Sequence, residues 1–239
     1  MRPVGLNLST FHSEKSFKCS PGQVDIEGYP REHFSRSVNP EAAFGALPDS
    51  QGWLMLSADA ITWLCERGDL EWLGRRRGDG LLLTLGSPLL PLAVPRAPVV
   101  DLADQASIDG LYGEPVAEWQ TYDLGPGEMV LCAVEEPLRL GARLMGVIGG
   151  LSHLARVGLA VHVTSPFVLP GWNGHLTLEI VNAGPAVLRL HRGMPVGRVL
   201  VFAVNGPRDH EADAHPYYGR DTDLSSRYAD EFRVGPSRR

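Results

Sequence analysis

Cysteine is scarce in this chain: Cys19, Cys65 and Cys132 are the three in 239 residues. They are widely spaced, odd in number and form no CxxC pair, which argues against a disulfide framework and against a structural zinc site, and fits a reducing cytoplasm. Long hydrophobic runs are lacking too. The longest apolar stretch, Leu81 to Val100, is broken by Pro88, Pro91 and Pro95, and Met1-Arg-Pro-Val-Gly-Leu6 has no apolar h-region. Neither a signal peptide nor a membrane span is therefore expected, and a cytoplasmic location is. Basic excess is absent as well. A formal charge of -6 and a pI near 5.7 leave no basic face for phosphate backbones, so a nucleic-acid polymer is not an expected partner. A single nucleotide stays open, because local arginines can act against the overall sign. No internal repeat is present. Gly125-Pro-Gly127 is turn punctuation, not a phosphate loop, and His12-Ser-Glu14 is not followed by the Pro-Cys-x-x-Cys that zinc deaminases require.

What is present is apolar material, 44% of residues, enough for a substantial core. Residues 1 to 50 mix Gly, Pro, Ser and charge without helical or strand periodicity and read as an irregular extension. Ser57-Ala-Asp-Ala-Ile-Thr-Trp-Leu-Cys-Glu-Arg-Gly68 predicts a short helix. Ser57 is its N-cap, Ile61, Leu64 and Cys65 share a face, and Gly68 is its stop. Short strands separated by turns follow: Leu81–Leu85, Met129–Val134, Leu144–Ile148, His175–Asn182, Val187–His191 and Arg198–Val204. Such a series predicts a mainly β barrel or sandwich of jelly-roll type. The segment from His210 to Arg239 carries three tyrosines and five arginines in a polar background, the composition of a tail able to fold over a ligand.

Candidate chemistry concentrates between Ser152 and Asn182. In the strand from His175, Leu176, Leu178 and Ile180 alternate with Thr177, Glu179 and Val181, so Glu179 projects away from the leucines. A carboxylate in so apolar a strand faces either solvent or a polar pocket. Ser152 follows the Gly149-Gly150 pair that closes a strand, a place for one helical turn. At i and i+4, Ser152 and Arg156 would share a face. The competing reading makes Ser152 an N-cap and Arg156 a surface charge. Free amides at the start of the turn would also suit an anion. His162 reads as a core or pocket-wall histidine more than as a base. A carboxylate beside a hydroxyl and a guanidinium can deprotonate a held water and stabilise an oxyanion without a metal.

Gly150-Leu-Ser-His-Leu-Ala-Arg-Val-Gly158, His162-Val-Thr164, Pro170-Gly-Trp-Asn-Gly174, Leu178-Glu179, Asn182 and Arg192-Gly-Met-Pro-Val-Gly197 together resemble the dCTP deaminase branch of the trimeric dUTPase superfamily. The resemblance runs without gaps from about Leu140 to Val204. It extends more weakly back to Leu56-Ser57 and forward through Pro216-Tyr217 and Ser226-Arg-Tyr228 to Pro236-Ser237. It implies a dUTPase-like distorted β-barrel with one or two short helices, spanning residues 51–209. A homotrimer with active sites between subunits is implied too, with residues 210–239 closing over the nucleotide. It also implies metal-independent attack of water on C4 of cytosine, with Glu179 as general base and Ser152 and Arg156 positioning the water and the developing charge. Mg2+ would enter only on the nucleotide phosphates. His162, Ser165, Trp172, Thr177 and Leu178 fall among its substrate-binding positions, and Tyr217, Arg227 and Tyr228 at positions that embrace the nucleotide.

The departures lie in recognition. Leu151 stands where the family has a basic residue, His153 where a serine is common, and Leu169 where an aspartate precedes Pro-Gly-Trp. The first two fall where the resemblance places phosphate contacts, each charge-assisted contact there being worth roughly 1.5–3 kcal/mol. The third removes a carboxylate expected at the sugar, and at the water of dUTP-hydrolysing relatives. Glu231 replaces an amide or neutral residue in the tail, with Arg220 and Arg233 as its candidate partners. The sequence thus predicts deamination of dCTP or of a modified cytidine derivative. The alternatives are a catalytically reduced nucleotide-binding regulator, which the departures motivate, and a dUTP or dCTP diphosphatase, which Leu169 disfavours.

Overall fold

Helix α1, Ala58–Arg67, is built as its end residues dictate. The Ser57 side chain accepts the Ala60 amide at 3.3 Å, and Gly68, at φ 74°, donates its amide to the Cys65 carbonyl at 3.2 Å. Ile61 and Leu64 are fully buried and Cys65 partly so. In the computed structural model residues 54–93, 99–204 and 224–229 are described. The expected extension over residues 1–50 lies outside the described residues, as do 210–223 and 230–239 of the expected tail, with Tyr217, Arg220, Glu231 and Arg233.

Fourteen strands run through the described residues: β1 Leu54–Met55, β2 Leu70–Trp72, β3 Arg76–Arg77, β4 Gly80–Pro91, β5 Thr121–Leu124, β6 Met129–Val134, β7 Leu138–Leu140, β8 Leu144–Gly150, β9 Leu159–Ala160, β10 Phe167–Val168, β11 Asn173–Gly174, β12 Thr177–Asn182, β13 Leu188–His191 and β14 Pro195–Ala203. The principal antiparallel sheet has the order β10-β8-β14-β4-β6-β12-β9, with β1 added to β14 and β3 to β4. Two smaller sheets, β11-β7-β2 and β13-β5, complete a mainly β architecture. Helices α2 (Gln105–Asp109) and α3 (Ser152–Ala155) are each about one turn.

The expected strands are all present, and their bounds differ for physical reasons. β4 continues beyond Leu85 to Pro91: it pairs with β14 as far as Thr84, then with β6, its register shifting between Leu85 and Leu89. Pro88, which has no amide to donate, sits in that shift, where no ladder bond is asked of it. β8 runs through Gly149 and Gly150 instead of ending before them, because both glycines pair with β14, at Arg198 and Gly197. A Cβ on Gly197 would lie 3.0 Å from the Gly149 carbonyl oxygen, so the close approach of the two strands accounts for the glycine at 197, whereas a Cβ on Gly149 would meet open space. Helix α2 had no counterpart in the sequence reading. Five residues are too few for an apolar period, and its signal is the Asp104 side chain, which caps Ala106.

β12 shows the expected alternation: Leu178, Ile180 and Asn182 are buried, whereas Thr177, Glu179 and Val181 are half-buried. The inward residues join Val130, Cys132 and Val134 of β6 and Leu81, Leu83 and Leu85 of β4 in one core. On the opposite face a smaller cluster forms from Leu90, Leu131, Ala133 and Leu224.

Candidate active site

After β8 the Leu151 amide donates to the Val196 carbonyl at 3.1 Å, and the Leu151 side chain is only 8% exposed. Leu151 itself occupies the N-cap position of α3 and makes no side-chain capping bond. Ser152 is therefore the first helical residue and not the cap, which removes the competing role for its hydroxyl. The Arg156 amide closes the turn on the Ser152 carbonyl at 3.2 Å, and both side chains are exposed. Hydroxyl and guanidinium thus lie one turn apart on the surface, as the i, i+4 spacing predicts.

The turn is pinned to the strand that carries Glu179. Gly158, at φ 93°, accepts the Ala183 amide at 2.8 Å, and a Cβ there would lie 2.4 Å from the Gly184 nitrogen. Only glycine meets both demands. Asn182, fully buried at the end of β12, holds the other side of this junction. Its amide group donates to the Leu124 and Ala186 carbonyls at 2.8 Å each, and its oxygen accepts the Gly184 amide at 3.0 Å.

Glu179 pairs with Leu131, which in turn pairs with Leu90, so the carboxylate continues an apolar row across three strands. Its Oε2 accepts the Val163 amide at 3.3 Å. Burial pushes its pKa above the ordinary carboxylate value, outweighing the opposing pull of the Val163 bond and of nearby His162. His162 is half-buried, with Nδ1 buried and without a hydrogen-bond partner among the described residues. A desolvated carboxylate beside an imidazole on an accessible face is the environment of a proton-transferring group.

The remaining sequence candidates divide. Thr177 shares the face of Glu179, and His153 and Ser165 are exposed. Leu178 is fully buried, because strand alternation turns it away from Glu179, and Leu151 is buried in its capping position. At these two substrate-binding candidates the side chain is turned into the core, and what either offers outward is backbone. Leu169 is half-buried, and its carbonyl accepts the Trp172 amide at 3.2 Å; the Trp172 indole donates to the Gly174 carbonyl at 3.1 Å. The Pro-Gly-Trp turn is thereby held from within, which makes Trp172 a brace of the hairpin entering β12. Arg227 and Tyr228 lie in the segment 224–229, whose Leu224 packs on Leu90, Leu131 and Ala133. Gln105 and Tyr112, which grip this segment, carry no motif, and only their contacts reveal them.

The family model for dCTP deaminase-like proteins matches residues 76–204, from β3 to the end of β14. A dCTP deaminase of Shewanella frigidimarina is 36% identical over 161 residues, 64% of this chain and 79% of the relative. One of Idiomarina loihiensis is 32% identical over 168 residues, 67% of this chain and 82% of the relative. The crystal structure of 2'-deoxycytidine 5'-triphosphate deaminase from Agrobacterium tumefaciens aligns with a TM-score of 0.48 at 20% identity, covering 64% of this chain and 49% of that one. With the matched region spanning Ser152, Arg156 and Glu179 and more than half of its length, the chain belongs to the dCTP deaminase-like family.

Proposed function

We propose that this protein is a hydrolase that deaminates a cytosine nucleotide, with Glu179 as general base. The observation that carries the reading is the desolvated Glu179 carboxylate, on an accessible face and hydrogen-bonded to the Val163 amide. In the proposed step Glu179 takes a proton from water as the oxygen bonds to C4 of the base. Ser152 and Arg156 hold the water and the developing negative charge. The proton then passes from Glu179 to the departing nitrogen, the C4–N bond breaks, and ammonia leaves the uracil form behind. Family membership, and relatives named dCTP deaminase, support this reaction class.

The reading includes a homotrimer with sites completed between subunits. Val157 and Val163, 53% and 54% exposed beside the two halves of the site, support it, since exposed apolar side chains in such positions suit a subunit contact. The proposed chemistry asks no metal of the protein, and Mg2+ would arrive with the phosphates. Leu151, buried where the family resemblance expects a cation, together with His153 and Leu169, favours a cytosine nucleotide with an altered sugar or phosphate portion.

The test is ammonia release from a panel of cytosine nucleosides and nucleotides by the wild type and by Glu179→Gln. Loss of general-base catalysis predicts a fall of about 10²–10⁴-fold. Equal turnover by the two proteins, or nucleotide-induced thermal shifts without turnover, would replace the enzyme with a binding regulator. Pyrophosphate release would instead identify a diphosphatase.

A further inference from the structure

The segment 224–229 is separated from helix α2 by more than a hundred residues of sequence, yet the two are joined by bonds that fix its backbone. The Tyr112 hydroxyl oxygen accepts the Ser226 amide at 3.0 Å. The Gln105 side-chain amide donates to the Ser226 carbonyl at 2.8 Å and to the Asp109 carboxylate at 2.8 Å. Both backbone groups of one residue are thus held by two side chains from the same short connection. Leu224, 8% exposed, inserts beside Leu90, Leu131 and Ala133, and Ala229 at the far end is fully buried. The segment is therefore fastened at three points: an apolar plug, a polar clasp and a buried small residue.

Its place on the sheet matters. Leu131, under the plug, pairs directly with Glu179, and Ala133 pairs with Thr177, so the segment covers the strand adjacent to the carboxylate on the same face. Between it and the sheet a cavity of about 340 Å³ remains, bounded by Pro88 and Leu90 of β4, Asp109 and Tyr112 of the α2 connection, and Leu224 and Arg227 of the segment. The segment supplies one wall of this cavity. Gln105 Oε1 is buried without a hydrogen-bond partner among the described residues, so the orientation of this side chain is set by its two amide donations.

We propose that Gln105 and Tyr112 are positioning residues that latch the 224–229 segment onto the sheet and so hold Arg227 and Tyr228 next to the Glu179 face for nucleotide binding. The docking rests on the contacts above; its consequence for substrate rests on the deaminase reading. The latch acts through the backbone of Ser226, and Tyr112→Phe and Gln105→Ala each remove one of its bonds.

The experiment uses the full chain. Hydrogen exchange followed by mass spectrometry reads the peptide containing Ser226, and steady-state kinetics with the best cytosine nucleotide of the panel read the consequence. A typical net hydrogen bond predicts about fivefold faster exchange in this peptide for Tyr112→Phe, more for the double variant, and a comparable rise in KM with kcat changed less. Unchanged exchange in Tyr112→Phe and in the double variant overturns the latch. Faster exchange with unchanged KM overturns its role in binding. If the wild type turns over no cytosine nucleotide, the deaminase reading falls, and the exchange measurement still decides whether the latch exists.

Discussion

Asn182 offers the sharpest test of how the site is held together. It is fully buried, and three hydrogen bonds of its side chain, to Leu124, Ala186 and Gly184, tie the end of β12 to β5 and to the turn that touches Gly158. Asn182→Ala removes all three at about 1 kcal/mol net each, and takes this partner from the buried Leu124 carbonyl, whereas exposed Ala186 and half-buried Gly184 can turn to water. The expected loss is about 2–4 kcal/mol, against the roughly 0.5 kcal/mol or less of an ordinary surface change. Asn182→Asp separates the contributions. It keeps the acceptor for Gly184 but aims a carboxylate oxygen at the Leu124 and Ala186 carbonyls. Protonating the new carboxyl relieves that repulsion and restores one donor, so this variant gains on the wild type as pH falls. Urea unfolding by fluorescence and circular dichroism, at one fixed protein concentration because an oligomer's stability depends on it, supplies the free energies. A loss under 1 kcal/mol for the alanine variant, or an aspartate variant as stable as the wild type at pH 7, would refute the assignment. Deaminase activity should fall further than the folded fraction does, since the junction sets Ser152 and Arg156 relative to β12.

Three further outcomes follow from the same structure. Gly158→Ala forces a side chain into a backbone at φ 93° and against the Gly184 nitrogen, so its melting temperature should drop by the equivalent of about 1–3 kcal/mol from backbone strain alone; an unchanged melting curve would contradict the close approach. Because burial raises the Glu179 pKa above its unfolded value, the folded state binds the proton more tightly, and the charged form costs stability above both values. Glu179→Gln should therefore melt higher than the wild type near pH 8, with the difference shrinking as pH falls to the unfolded carboxylate pKa; a gap that widens on acidification would reverse the sign. The Cys132 thiol, fully buried and with its pKa pushed up to about 12, should resist iodoacetamide at pH 8 in the native protein and label in urea, as peptide mass spectrometry would show.

Much of the site was legible along the chain, because strands and single helical turns write their faces into local spacing. The alternation through Leu176–Val181 placed Glu179 opposite the core, the Ser152–Arg156 interval placed two polar groups on one face, and Ser57 and Gly68 bracketed α1. These are short-range consequences of backbone geometry, and the motif order carried the family with them. The sequence alone determined the strand pattern, the chemical groups and the kinship.

Tertiary structure decided the rest, for reasons no local pattern holds. Leu151 and Leu178 read as substrate neighbours, but capping geometry and strand alternation send both side chains inward. Asn182 looked like one more motif residue, and its three bonds exist only because β5 and the turn before β13 arrive at its end of β12. Gln105 and Tyr112 sit in a connection without periodicity, and they acquire a role through contacts more than a hundred residues away. Sheet order and register, set by the summed burial of the whole chain, bring these pieces together. A residue's type states what chemistry it can do, whereas the pairing of distant strands fixes which neighbours it does it with.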